Sequence, residues 1–372
     1  MKVIQIMSGS YPPNEGVGSH VYSISRNLTK LGHEVKIVVR DHSIDTVQTL
    51  NDNGIEIILI PVMKIPFIST FLFKRKIESL FNKQVIDIIH YHSPLVPFVK
   101  LKTKKNILTI HSTMKTDTSF IESISLNAIL NKIMGKFLSP IIENKLLKNA
   151  DQIVVVSQDI KDELRIGYSF EKNNIHYIPN GIDKDVFYNM NLKRKKQIVY
   201  IGRLGYRKGI PILLEAIKEL KNYLKTKEYH IIFSGDGHLK QYAMKFIETN
   251  NLSKIVTITS KKQSEVNKLL NESLFLIMNS TYETGPRTVL EAMFTNTPVI
   301  ATKVGLLKYF NNNDFIKIND FSKESVIIAI KKSIKLEEQN TYQNLQEKHQ
   351  YYIDKFNNEK IVNDLINLYA NA

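Results

Sequence analysis

The sequence predicts an α/β protein of two doubly wound domains facing a common cleft. Three observations carry that expectation. Short apolar runs alternate with segments of helical period almost throughout, the pattern of parallel strands covered by helices on both faces. The alternation pauses once, between Asn180 and Lys196, and then restarts with a second set of similar size. A chain of 372 residues also exceeds the ~150 residues of one ordinary domain.

In the first half the apolar runs place strands at Lys2–Met7, Val35–Arg40, Ile55–Pro61, Val85–His90, Asn106–His111, Gln152–Ser157 and Ile175–Pro179. Between the first two, Val21, Ile24 and Leu28 recur at helical spacing and Gly32 marks the helix end. In the second half, strands are expected at Gln197–Ile201, His230–Ser234, Lys254–Thr259, Leu274–Met278 and Pro298–Thr302. Helices start near Pro211, Leu239, Ser264 and Pro286. The pause holds an Asn180-Gly181 turn signal and a solvated basic run, Lys193–Lys196. Tyr351–Ala372 has helical period and no strand after it.

Composition bounds the function. The chain is 43% hydrophobic and 23% charged, with no cysteine, so disulfides, thiolate metal sites and a cysteine nucleophile are excluded. A formal charge of +15 favours anionic partners: phosphorylated substrates, an anionic membrane surface or nucleic acid. The opening MKVIQIM is too short for a signal-peptide core, and no apolar run approaches the ~18 residues of a membrane span.

In open α/β sheets ligands sit beyond the carboxyl ends of the strands. Four strand-to-helix loops look prepared for an anion. In the first, GSYPPNEGVGSHV, Gly16 and Gly18 let a backbone approach a ligand ahead of a helix N-terminus. The G-x-G spacing superficially resembles a dinucleotide fingerprint, and Asp41 is placed for a ribose. Val21 stands where that fingerprint needs glycine, however, and the loop is too long for its tight turn. In the second, YIGRLGYRKGIP, Arg203 offers a forked donor and Lys208 a mobile point charge, suited to two phosphates. In the third, FSGDGHLKQ, Gly235 and Gly237 either border the ligand or only shape the turn. In the fourth, ETGPRTVLEAM, Pro286 at the first helical position leaves the amides of Arg287 and Thr288 for an anion. Glu283 and Glu291 in that segment can accept hydrogen bonds from sugar or ribose hydroxyls.

These ordered motifs resemble the retaining, nucleotide-sugar-dependent glycosyltransferases of family 4, which have the GT-B fold of two Rossmann-like domains. The similarity runs through YPPNEGVGSHVYSISRNLTKLGHEV, IIHYHSPL, ILTIHST, IVVVSQDIKDEL, IHYIPNGIDKDVF, YIGRLGYRKGI and ETGPRTVLEAM, nearly the whole chain. The resemblance implies an N-terminal acceptor domain over 1–180, with a C-terminal helix at about 353–372 packing back on it. The donor domain spans 181–352. It implies that Arg203 and Lys208 bind the donor diphosphate and that Glu291 holds the ribose hydroxyls. Glu283 contacts the transferred sugar beside the backbone of Thr284, Gly285, Pro286 and Arg287. Gly16 and Gly18 approach the phosphates or the acceptor, and His111 contacts the sugar near the reacting carbon. Asn279, Thr284 and Asn296 depart from the usual pattern, as does VGLLKYF; these bear on donor-sugar identity rather than on reaction class.

The expected reaction is transfer of a hexose from a UDP-sugar or GDP-mannose to a hydroxyl, with retention. No cofactor and no metal is expected; the D-x-D at Asp183–Asp185 reads as a turn feature. The basic, aromatic stretch Phe67–Phe81 and the segment Leu126–Asn149 suit an anionic membrane as well as a helical core. With the net charge, they favour a lipid-linked or growing glycan acceptor met at the cytoplasmic membrane face, and not nucleic acid. The alternatives are a nucleotide-sugar epimerase or sugar phosphorylase, and a non-enzymatic polyanion binder without converging loops.

Overall fold

In the computed structural model the described residues are 1–13, 16–63, 65, 68–119, 132–133, 136–137, 139–172 and 174–370. Residues 126–131, 134, 135 and 138 of the segment Leu126–Asn149 lie outside them, as does Phe67. The chain divides into two compact units: Met1–Gly181 with Asn358–Ala372, and Ile182–Asn357.

The first unit is built on eight strands: β1 (Lys2–Met7), β2 (Glu34–Asp41), β3 (Gln48–Asp52), β4 (Ile55–Pro61), β5 (Ile86–Ser93), β6 (Thr103–Ile110), β7 (Gln152–Val155) and β8 (Ile175–Tyr177). Their order is β3-β4-β2-β1-β5-β6-β7-β8. All neighbours are parallel except β3, which pairs antiparallel with β4. The inner strands read as continuous Val/Ile/Leu runs because both faces are covered. On one face the helix Gly16–Lys30 buries Val21, Ile24 and Leu28 completely, against Ile361, Val362, Leu365 and Tyr369 of the helix Asn358–Ala370. On the other, Phe73, Ile77 and Phe81 of the helix Ile68–Phe81 enter a separate cluster.

The second unit has six parallel strands: β9 (Lys195–Ile201), β10 (His230–Ser234), β11 (Val256–Thr259), β12 (Ser273–Met278), β13 (Val299–Thr302) and β14 (Ile316–Ile318). Their order, β11-β10-β9-β12-β13-β14, is the 3-2-1-4-5-6 winding of a Rossmann sheet. The order reverses between β9 and β12, and crevices open at such reversals.

Several expected boundaries shift. The helical stretch from Tyr351 is broken: His349–Lys355 ends at Phe356, and a new helix starts at Asn358. Pro286 caps its helix rather than opening it, the helix running Arg287–Phe294. The first-loop glycines fall inside a helix, which already begins at Gly16. β5 continues past His90 to Ser93, which places His92 within the sheet. Among the described residues no helix is long and apolar enough to cross a membrane.

Candidate functional site

In the second unit the loops after β9 and β12 emerge on either side of the strand-order reversal, and the structure ties them together. The Thr281 amide donates to the Arg207 carbonyl at 2.8 Å, and the Thr281 hydroxyl donates to the same oxygen at 3.1 Å. Gly209 closes the first loop with φ +68°, where a Cβ would sit 2.0 Å from the Asn279 carbonyl oxygen. Only glycine fits there. Asn279 Nδ2 donates back to the Gly209 carbonyl at 3.2 Å.

Across that seam Lys208 Nζ donates to Glu283 Oε1, both side chains largely buried. Burial alone would raise the Glu283 carboxyl. The charges of Lys208 and Arg207, with hydrogen bonds from Lys208 and Ser280, outweigh it and hold the group below the usual carboxylate range. Glu283 is therefore an anion held by a cation, in the loop that leads to the Arg287–Phe294 helix. Leu290 and Val289 already donate to the Pro286 carbonyl, whereas Arg287 and Thr288 are first-turn amides, which have no intrahelical acceptor. The helix dipole adds partial positive charge at that end.

Arg203 lies in the same loop as Lys208 and is exposed. Arg287 and Glu291, one turn apart, approach to 3.6 Å and are nearly buried. Burial lowers the Arg287 guanidinium, while Glu291 and Asp183 pull it back up. Asp183 itself closes a turn: its Oδ1 accepts from the Asp185 amide at 2.9 Å and its carbonyl from Val186 and Phe187. The third glycine loop settles into a supporting role. A Cβ at Gly235 would meet the Gly202 carbonyl oxygen at 1.9 Å, and one at Gly237 would meet the Leu204 carbonyl oxygen at 2.3 Å. These glycines let one loop back pack against the next.

The first unit has a reversal of its own, between β1 and β5. Gly18, in the helix after β1, is buried, and a Cβ there would meet Pro13 at 3.2 Å. Gly16 is exposed and faces open space. His111 follows β6 directly and is buried. Its ring lies 5.1 Å, edge-on, from that of His20 in the glycine-loop helix, and 5.5 Å from that of His92 in β5. The ligand nitrogens of His20, His92 and His111 lie within 4.8 Å of one another, the one group among the described residues placed as metal ligands would be. The sequence reading singles out His111 alone. The signal it passes over is the alternation His90-x-His92 inside an apolar run.

A binder of polyanions without converging loops is not what this geometry describes. The family model for Glycosyltransferase Family 4 matches residues 14–186, and that for Glycosyl transferases group 1 matches residues 182–355. One component of the phosphatidylinositol N-acetylglucosaminyltransferase of Arabidopsis thaliana is 21% identical over 345 residues, covering 90% of this chain and 75% of that one. Sucrose-phosphate synthase of Thermosynechococcus elongatus superposes with a TM-score of 0.81 at 20% identity, covering 99% and 98% of the two chains. HepE of Anabaena in complex with UDP-glucose superposes with a TM-score of 0.72 at 13% identity, covering 100% of both. With one family model on each half and this fold over the full length, the chain belongs to the family 4 glycosyltransferases of GT-B fold and is a transferase.

Proposed function

We propose that the protein is a retaining hexosyltransferase that moves a sugar from a nucleoside diphosphate to a hydroxyl of a lipid-linked or growing glycan. The observation that carries this reading is the Lys208–Glu283 pair, built from the two loops that flank the strand reversal of the second unit. A diphosphate lodged there meets Lys208, Arg203 and the amides that open the Arg287–Phe294 helix. Such preoriented charge is the term that usually dominates transfer from a charged leaving group. Glu291 takes the ribose hydroxyls, and Glu283 positions the transferred sugar beside the backbone from Thr284 to Arg287. In the first unit, His111 faces the sugar near the reacting carbon, and Gly16 and Gly18 admit the phosphates or the acceptor.

In this mechanism the bond from the anomeric carbon to the diphosphate oxygen breaks as the acceptor oxygen bonds to the same face of that carbon. The acceptor proton passes to the departing phosphate oxygen. Positive charge accumulates on the sugar ring meanwhile, so no carboxylate nucleophile is needed. The leaving charge is met by protein groups, so neither metal nor cofactor enters the proposal.

Two features favour a lipid-borne acceptor at the cytoplasmic membrane face. The relative from Arabidopsis thaliana is named for phosphatidylinositol. The helix Ile68–Phe81 also leaves Ile68, Phe71 and Leu80 exposed beside Arg75, whose guanidinium lies 5.8 Å from the Phe71 ring centre. Exposed apolar side chains mixed with cations suit an anionic interface.

A donor panel tests the reading. Incubated with UDP-, GDP- and ADP-sugars and a polyprenyl or glycan acceptor, the protein releases one nucleotide in step with a product of unchanged anomeric configuration. An inverted product, or sugar 2-epimers without transfer, would overturn it.

A further inference from the structure

Arg40 of the first unit is a cation that the fold buries without an acid. It stands next to last in β2, and Val38, two residues earlier, places it on the sheet face covered by the helix Ile68–Phe81. There the guanidinium lies 4.9 Å from the Phe73 ring centre, and Arg40 is only 9% exposed. Nη2 donates to the Leu95 carbonyl, in the loop after β5, and Nη1 reaches Ser69 Oγ at a long 3.4 Å. Nε–H is buried with no acceptor among the described residues. The adjacent Asp41 is engaged elsewhere: its Oδ1 accepts from the amide and the hydroxyl of Ser43.

Burial is the one influence on its proton and lowers the guanidinium to about 10, so no carboxylate compensates the charge. A desolvated charge without a counter-ion is costly, and side chains that keep one commonly serve a ligand. The place in the sheet agrees. β1 lies between β2 and β5, so Arg40 crosses the end of β1 to reach Leu95, at the strand-order reversal of this unit. Ser8, just past β1, donates to the Pro94 carbonyl at 2.8 Å and ties the same loops together. Ligands of open α/β sheets sit at such reversals.

We infer that Arg40 and the first turn of the helix Ile68–Phe81 bind a phosphate of an amphiphilic acceptor, the phosphate that joins its lipid chain to its headgroup. The inference rests on the proposed transfer to a lipid-linked hydroxyl and narrows it to acceptors that carry a phosphate. A phosphate oxygen entering beside Ser69 replaces the long Nη1 contact with a short, charge-assisted bond and supplies the missing counter-ion. The Ser69 hydroxyl is then free to donate to the same anion, and the helix dipole adds partial positive charge at that end. Lys76, two turns on, ties its Nζ to the Pro61 carbonyl at 2.9 Å, so a second cation stands at the neighbouring strand end. The rim selects a lipid phosphate over a free one. Ile68 and Phe71, in the same turn as Ser69, are exposed, as is Met63 after β4. Inorganic phosphate has no use for them, whereas a chain leaving a bound phosphate covers apolar surface there.

The test is calorimetric titration of the full chain with geranyl phosphate, geraniol and inorganic phosphate. Geranyl phosphate is expected to bind at a single site, inorganic phosphate more weakly, and geraniol without measurable heat. Arg40→Met keeps the packing on Phe73 and removes the charge. It is expected to fold with a Tm at or above that of wild type, because an uncompensated buried charge has gone. Its affinity for geranyl phosphate falls at least about tenfold, the scale of one lost hydrogen bond to a charged group. Arg40→Lys, which keeps a cation but not the fork, is weakened too. Equal binding by either folded variant would overturn the inference, as would geraniol or inorganic phosphate binding as tightly as geranyl phosphate. Loss of the fold in both variants would also overturn it, making Arg40 a bolt for the Leu95 loop. The two readings fail separately. Nucleotide-sugar consumption with a neutral glycan, and no binding of geranyl phosphate, would sink this site and leave the transfer reading standing. Geranyl phosphate held through Arg40 with no nucleotide sugar consumed would do the reverse.

Discussion

The two units wind their strands about the same kind of reversal, yet fill the space beside it with different chemistry. In the second unit, the cations Lys208 and Arg207 act on a single carboxylate, Glu283, in the loop that leads to the Arg287–Phe294 helix. In the first, the groups at the ends of β5 and β6 are imidazoles, and burial lowers His90 to about 3 and His92 well below the ordinary histidine range. A sheet reversal supplies only a crevice. Whether it grips charge or reads neutral hydroxyls is decided by a handful of side chains. On the proposed reading that division is functional: one unit meets the diphosphate, and the other meets a sugar that turns cationic in the transition state.

The comparison breaks first at Lys208. Lys208→Ala removes the cation and leaves Glu283 with its charge poorly matched, and turnover is expected to drop by about a thousandfold, the upper range for one preoriented donor. Steady-state nucleotide release, with circular dichroism confirming the fold, checks it. An activity within a few-fold of wild type would mean that the second unit's charge is not what the reaction uses.

Glu283→Gln sharpens the same point from the other side, with an expected loss of about a hundredfold. It also carries a pH signature. A carboxylate held below its ordinary value contributes stability above the unfolded value of about 4.3 and loses it as pH falls through the folded value. Urea midpoints measured from pH 6 downward should therefore fall more steeply in wild type than in Glu283→Gln. Parallel curves would show that the pair adds nothing to folding.

Arg203 marks the soft edge of the charged side. It is exposed, so screening limits its worth. Arg203→Ala should raise the donor KM only about threefold, the scale of an exposed ion pair, with the difference shrinking as salt is added. A large, salt-insensitive loss would put Arg203 in direct, desolvated contact with the phosphates.

How much of this was legible in the sequence differs by feature. Strands that are apolar on both faces announce themselves, and Lys2–Met7, Ile55–Pro61 and His230–Ser234 agree with the structure to the residue. The edge strands are silent. β3 is almost wholly exposed, and its sequence QTLND carries no apolar run; the Asn53-Gly54 turn joining it to β4, both residues at positive φ, was the available hint. β14 is three residues long. The break at Phe356 and Asn357 lies in a stretch whose apolar spacing is continuous, so periodicity passes over it.

The candidate site divides the same way. Loop chemistry and family resemblance pick out Lys208 for phosphate and Glu283 for sugar, but nothing in one dimension says that the two side chains touch. That contact depends on the β9–β12 neighbourhood and on the Gly209 approach to Asn279. The His20–His92–His111 group is less legible still. It needs the registers of β5 and β6 together, and a single-residue slip would send His92 to the opposite face.

Calorimetric titration with UDP, GDP and ADP bears most directly on the claim that the loops after β9 and β12 hold a nucleoside diphosphate. The account predicts that one of the three binds the wild-type chain at a single site without added metal, and that Lys208→Ala weakens it at least tenfold. Equal binding by the Lys208→Ala chain, or none by the wild type, would contradict it.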